Sequence, residues 1–356
     1  MISIIQKRNV SFMISGLLVL GSIVSLVLFG LKPGIDFTGG SLLEVRFTGQ
    51  RPSPDKVETA LADLSLGSVV VQPTNEDGYI LRTRFINEEE HQQILARLRS
   101  SFETAAAQDA ENGSFLLEAT GENGEPVLVE AESLSGEEGA VSQEGQDETA
   151  QTAPVERVLE ERVETIGPSI SQELISRSWK AGIGVLLLIV LFIAYSFRRV
   201  SKPVESWKYG VAAVIALAHD VLITMGVFAL LGKWYGVEVD IPFIVALLTI
   251  LGYSVNDTIV VFDRVRENLI KSGGSNFLDV VNRGVNQTIL RSINTSFTTL
   301  LVLVAMYFFG GESIRYFSLA LIIGIFFGTY SSIFIASPIL VSWEEERRRK
   351  RKQPSI

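Results

Sequence analysis

Four ionisable side chains stand where a chain rarely tolerates them. His219 and Asp220, Asp257, and Arg291 all fall within long apolar runs. An ionisable group at the centre of a membrane helix costs about 2.5–3.5 kcal/mol, so such residues normally face a bundle interior, find partners and mark ion or proton paths. Asp257 lies six residues before Asp263, where its run ends, and therefore about 9 Å deep at roughly 1.5 Å per residue. The next run travels the opposite way with Arg291 near its start, so the two sit at comparable depth and a carboxylate–guanidinium pair is expected. Two roles remain open for that pair. It is either a structural ion pair, or a carboxylate that takes and releases protons while Arg291, when close, favours its charged form.

The spacing around these residues agrees with inward faces. Thr249, Asn256 and Asp263 recur every seven residues, with Tyr253 and Asp257 on the adjoining stripe and Thr258 beside it. Arg291, Thr295 and Thr299 recur every four, as do Ala212, Ala216, Asp220 and Thr224. Small and hydroxyl-bearing stripes let helices approach closely and hydrogen-bond. His219-Asp220 reads first as a hydrogen-bonded packing pair, with a proton relay as the alternative. Gly324, Gly328, Ser332 and Ala336 form a small-residue seam that reads as packing. His91, in a charged helix, reads as a solvated surface residue.

Other chemistries find little support. There is no cysteine, which removes disulfides, thiolate metal sites and thiol catalysis together, and two histidines are too few for a histidine-built metal centre. No Ser-His-Asp order, metal motif or phosphate loop appears, so no enzyme, cofactor, metal site or ATP-driven motor is expected. Asp36, although flanked by glycines, is followed by neither Gly-Lys-Ser nor a helix pattern and reads as a turn that launches a strand.

The elements that must position these residues are membrane spans. Hydrophobic residues make up 47% of the 356-residue chain and mean hydropathy is +0.30. A span needs roughly 20 mostly apolar residues, and six stretches qualify: 10–31, 179–197, 209–231, 241–262, 288–309 and 316–343. The first follows Lys7-Arg8 as a signal peptide would, but it is long for one and leads into Lys32-Pro33-Gly34, so a retained anchor is expected. Lys and Arg set the orientation. Arg198, Arg199, Lys202, Lys208, Arg264, Arg266, Lys271, Arg283 and the basic tail fall on the side of Lys7 and Arg8, and only Lys233 and Arg315 occupy the short loops opposite. Both termini are then cytoplasmic and 32–178 extracytoplasmic. The tail at 344–356 reads as a topology signal touching anionic lipid, not as a nucleic-acid arm. The amphipathic stretch 277–288 is expected along the cytoplasmic surface.

Within 32–178 the pattern is β-α-β-β-α-β, the split βαβ of ferredoxin-like folds. Strands are expected at 41–47, 68–72, 79–85 and within 156–166. Helices are expected from Ser53-Pro54 through Leu64 and over 88–102, capped by Asn87. From Ser100 to Glu156 there is neither Lys nor Arg, and the acidic, Gly/Ser/Gln-rich interruption at 103–153 cannot bury enough apolar surface to order most of itself. Phe115-Leu116-Leu117 and Val127-Leu128-Val129 read as a short hairpin within it. The fold class is thus a polytopic α-helical membrane protein of six spans, with an α+β ferredoxin-like extracytoplasmic domain between spans one and two.

Several stretches together resemble one family. They are Gly34-Ile35-Asp36-Phe37-Thr38-Gly39-Gly40, Glu164-Thr165-Ile166-Gly167-Pro168, Ala218-His219-Asp220-Val221, the run from Leu251 to Val261 with Asp263-Arg264-Val265-Arg266-Glu267-Asn268, Asn286-Gln287-Thr288 before Arg291, and Phe309-Gly310-Gly311. The chain is similar in these to the SecF family of protein-export membrane proteins, within the resistance-nodulation-division superfamily. The resemblance covers nearly all of the chain except the acidic interruption and the basic tail. It implies a partner, SecD, a place beside the SecYEG channel in the bacterial cytoplasmic membrane, and use of the proton motive force to draw unfolded polypeptides across. It also implies that Asp257 and Arg291 couple protons along a route at the interface with SecD; Tyr253, Asn256, Thr258, His219, Asp220 and Thr295 are expected as supporting intramembrane polar residues. An exporter half of the same superfamily and a non-transporting scaffold are the alternatives.

Overall fold

The computed structural model describes residues 3–48, 51–67, 69–74, 77–112, 116–120, 126–130, 158–197, 205–272 and 276–352. They divide into two compact units, 39–170 and 1–38 with 171–356.

The smaller unit contains strands β1 (Gly40–Phe47), β2 (Val70–Thr74), β3 (Gly78–Thr83) and β6 (Val158–Ile166), joined in the antiparallel order β2-β3-β1-β6. With helices α3 (Pro54–Leu61) and α4 (Glu88–Asn112), this is the expected ferredoxin-like arrangement. Leu43, Val45 and Phe47, at alternate positions of central β1, are buried with Val57 and Leu61 of α3, Ile94 and Leu98 of α4, and Tyr79, Leu81 and Val158. Each such side chain contributes about 1.5–3 kcal/mol when fully buried. Strand entry depends on one glycine: Gly40 has φ 128°, and a Cβ there would lie 2.7 Å from the Thr83 carbonyl oxygen.

Asn87 caps α4 as expected. Its Oδ1 accepts from the Glu90 amide at 2.9 Å while Glu90 Oε2 accepts from the Asn87 amide at 3.0 Å, a reciprocal capping box. Ser53 makes no side-chain cap, and its carbonyl instead accepts from Lys56 at 3.0 Å. The hairpin is present as β4 (Leu116–Thr120) and β5 (Pro126–Glu130), with Leu116 opposite Glu130; 103–112 continue α4, and Phe115 with the rest of 113–115, 121–125 and 131–153 lies outside the described residues. His91 is not solvated. It is 6% exposed, with Nδ1 3.3 Å from Glu88 Oε1 and Nε2 3.3 Å from Glu160 Oε2, because α4 turns that position toward β6.

The larger unit consists of α1 (Arg8–Phe29), the one-turn α2 (Ile35–Thr38), α5 (Pro168–Ser196), α6 (Ser206–Tyr235), α7 (Ile241–Lys271), α8 (Phe277–Phe309), α9 (Glu312–Ser331), a π turn at Ser332–Ala336, and α10 (Ser337–Lys352). Six helical segments among the described residues are long and apolar enough to cross a membrane. They overrun the apolar stretches because hydropathy marks the lipid-buried part, whereas backbone hydrogen bonding carries a helix on. Residues 277–288 accordingly form the first turns of α8, with Phe277, Val281 and Val285 in the bundle core rather than spread on a surface. The basic tail likewise continues as helix through Lys352. Glu344, 3% exposed, pairs with Arg347 at 2.9 Å and Arg348 at 3.0 Å, and Glu345 pairs with Arg8 at 2.5 Å.

Small residues set the packing. Ser22 and Ser25 of α1 meet Gly226 of α6, where Ser25 Oγ donates to the Gly226 carbonyl at 2.9 Å. Gly324 and Gly328 of α9 lie against Ile250 and Ser254 of α7. The π turn has a local cause: Pro338 offers no N–H and its ring crowds the preceding turn, so the helix widens there.

Asp36 does more than launch a strand. Its Oδ2 accepts from the Ile241 amide at 2.8 Å, at the first residue of α7, while Asp240 Oδ1 accepts from Phe243 at 3.0 Å. Two backbone bonds at 2.8 Å, Val239 to Lys32 and Gly34 to Val239, clamp the same joint. Carboxylates at an amide-rich helix start satisfy orphan donors and complement the dipole.

Candidate functional site

α7 places Asp257 and Thr258 one turn after Ser254 on its packed side. Asp257 Oδ1 accepts a hydrogen bond from Ser292 Oγ of α8 at 2.5 Å, and Asp257 Oδ2 is buried with no hydrogen-bond partner. Ser332 also approaches the carboxyl. Its hydroxyl, however, is engaged with Thr258 Oγ1 at 2.8 Å and the Gly328 carbonyl at 2.9 Å. A buried carboxyl oxygen so placed is satisfied by a proton of its own or by water.

The expected contact with Arg291 is not made. The ion pairs among the described residues do not include Asp257 with Arg291. The guanidinium lies on the exposed side of α8, and Ser292, next in sequence and rotated about 100° around the helix, faces Asp257 instead. Thr295 Oγ1 bonds back to the Arg291 carbonyl at 2.9 Å, so it supports the helix rather than the guanidinium. Tyr253 hydroxyl reaches Ser296 Oγ at 3.3 Å rather than Asp257, and Asn256 is exposed.

A second carboxylate is more deeply buried. Asp220 of α6 is 0% exposed; its Oδ1 lies 2.9 Å from His219 Nδ1, and its Oδ2 accepts from Ser254 Oγ at 2.6 Å and Ser331 Oγ at 2.8 Å. His219 stacks on Tyr330, with ring centroids 6.1 Å apart and planes 24° from parallel. The hydrogen-bonded pair is therefore present, inside a serine shell. Ser254, Ser292, Ser331 and Ser332 do not stand out in the sequence as polar partners, Ser332 reading as packing alone. Their one visible signal is helical offset: Ser254 precedes Thr258 by four.

On the surface of the same two helices, Thr249, Gly252 and Asn256 of α7 and Arg291, Asn294, Thr295 and Thr298 of α8 are all exposed. Among the described residues no group of three or more His, Asp or Glu is arranged to hold a metal.

A bundle of apolar helices with carboxylates held by hydroxyls in its interior is a polytopic membrane protein of the transport type. Residues 146–346 match the family model "Protein export membrane protein SecD/SecF, C-terminal", and residues 24–50 match the "SecD/SecF GG Motif". The protein translocase subunit SecF of Thermobaculum terrenum is 38% identical over 355 residues, covering 97% of this chain and 95% of that protein. The SecDF subunit of Thermus thermophilus is 45% identical over 185 residues, covering 52% of this chain and 24% of that protein. A crystal structure of SecDF from Thermus thermophilus, described as a translocon-associated membrane protein, superposes with TM-score 0.68 at 29% identity, covering 96% of this chain; the chain spans 38% of that one. The chain belongs to the SecD/SecF family of protein-export membrane proteins.

Proposed function

We propose that this chain is the SecF-type half of a proton-driven export pair. Partnered by SecD and seated beside SecYEG, it uses the proton motive force to draw unfolded polypeptides across the bacterial cytoplasmic membrane. Both termini are cytoplasmic and the ferredoxin-like unit is extracytoplasmic. Asp257 is the proton carrier. The observation that carries this is its carboxyl, one oxygen held by Ser292 and the other buried without a partner, inside a span. Protonation removes the charge and turns an acceptor into a donor, which changes what Ser292 and Ser332 can bond. One charge moved across the full membrane potential is worth about 2.3 kcal/mol per 100 mV, enough to bias a two-state element. Arg291 acts on Asp257 through its field and completes its pairing across the partner interface.

The partner is supported by the exposed polar face of α7 and α8. Arg291, Asn294, Thr295 and Thr298 facing hydrocarbon would each be costly, so a neighbouring helix bundle is expected to cover them. A related protein that carries SecD and SecF in one name, the SecDF of Thermus thermophilus, fits that expectation. The test is export of a secreted reporter by vesicles holding this protein, SecD and the translocon, with and without a proton gradient. Asp257→Asn should insert normally and abolish the gradient-dependent part of export. If it exports as well as wild type under the same gradient, the chain is a scaffold.

A further inference from the structure

We propose that Asp220, with His219, is a positioning residue for Asp257: it is a second proton-responsive site that sets how Ser332 and Thr258 are presented to the carrier. The inference rests on the proton-coupling reading above.

Its geometry is that of a junction. One carboxyl oxygen of Asp220 takes hydroxyls from two different helices, Ser254 Oγ of α7 at 2.6 Å and Ser331 Oγ, the last residue of α9, at 2.8 Å. Ser254 is three residues before Asp257, and Ser331 adjoins Ser332, which opens the π turn and bonds Thr258 at 2.8 Å. Asp220 thus holds α7 three residues before Asp257 and the end of α9 beside Ser332. The Ser332 hydroxyl also reaches the Ser254 carbonyl at 3.5 Å, which ties Ser332 and Thr258 to the residue that Asp220 holds.

The junction depends on protonation. An ionised Asp220 accepts from His219 and both serines at once. A protonated one has a donor where an acceptor stood, so one serine must turn away or accept instead. His219 supplies the alternative: its Nδ1 faces Asp220 Oδ1 at 2.9 Å, and its Nε2 is buried without a partner, so the ring has a free position for a proton. Tyr330 is the other titratable group against the pair, stacked on His219 from α9 and tied to Ser15 Oγ of α1 at 3.1 Å. On α7, Asp257 follows by three residues the Ser254 that Asp220 holds. π-type turns recur at functional sites; here Asp220 holds Ser331, the residue just before the turn, and Thr258 meets Ser332, its first residue.

The test reads Asp257 directly, by isotope-edited infrared titration of its carboxyl in the full chain reconstituted with SecD. Asp220→Asn keeps the shape and should displace the Asp257 midpoint by about one pH unit, a roughly tenfold change in proton affinity. The pH profile of gradient-driven export should shift with it. Ser331→Ala leaves both carboxylates in place and should displace the midpoint in the same sense by a smaller step; it carries the test if Asp220→Asn fails to accumulate. An unmoved Asp257 midpoint in the variant that folds overturns the proposal. The proton-coupling reading fails differently, through normal gradient-dependent export by Asp257→Asn, which leaves the infrared comparison readable.

Discussion

Replacing Gly226 with alanine should push α1 and α6 apart. An added Cβ would lie 2.4 Å from Ser22 Cβ, 2.6 Å from Ser22 Cα and 2.7 Å from Ser22 Oγ. Carbon atoms rest at about 3.5–4.0 Å, so the helices must separate by about 1 Å. A rotamer change at Ser22 cannot relieve this, because the nearest atoms include backbone. Such a shift stretches the Ser25-to-Gly226 hydrogen bond, now 2.9 Å, beyond useful length. Losing an interhelical bond in a membrane protein costs about 0.6–1.7 kcal/mol, and overpacking adds about 1–3 kcal/mol. The expected destabilisation is therefore about 2–4 kcal/mol. Thermal unfolding of the purified protein in lipid nanodiscs is the assay. Gly16→Ala, on α1 with nothing within 4 Å of its added Cβ, is the control and should be neutral or slightly stabilising. Ser22→Gly should rescue Gly226→Ala only in part, since the clash with the backbone of residue 22 survives. Equal melting of Gly226→Ala and Gly16→Ala would refute the reasoning, and full rescue by Ser22→Gly would locate the clash in the side chain alone.

Removing the Asp36 carboxyl exposes the start of the helix that carries Asp257. Asp36→Ala should cost about 1.5–3 kcal/mol, the worth of a hydrogen bond to a charged group, and Asp36→Asn less; faster amide exchange at Ile241 would report it. Asn87→Ala opens the capping box at a cost of about 1 kcal/mol, read as faster exchange in the first turn of α4. The same turn should weaken in acid. The Arg84 hydrogen bond, aided by the Asn87 amide, holds the Glu90 carboxyl below its usual range. Its contribution is complete above the unfolded value of about 4.3 and is lost as pH falls through the lower folded value. Glu90→Gln should flatten that dependence, and an unchanged acid profile would show that the pair contributes nothing in solution.

Much of the architecture is local and was legible. Apolar runs long enough to span a bilayer, the strand and helix order of the ferredoxin-like unit, and the Asn87 cap all follow from interactions within a few residues. The depth estimate also brought Asp257 level with the turn of α8 that holds Arg291 and Ser292. Rotation between helices is not local, and it decided which neighbour the carboxylate meets. At about 100° per residue, a shift of one position exchanges Arg291 for Ser292, and no periodicity in either run specifies the phase of one helix against another. The serine shell of Asp220 assembles from α6, α7 and α9, so its members look like ordinary small residues in the sequence. Asp36 and Ile241 are 205 positions apart, and only the clamp at Val239 brings them together. Burial of His91 likewise required β6, which returns after the long acidic interruption. Composition and pattern determined which segments form and that charge lies within the membrane. Tertiary packing decided what each charge touches, because a contact across helices depends on the relative phase and approach of two surfaces that are each encoded separately.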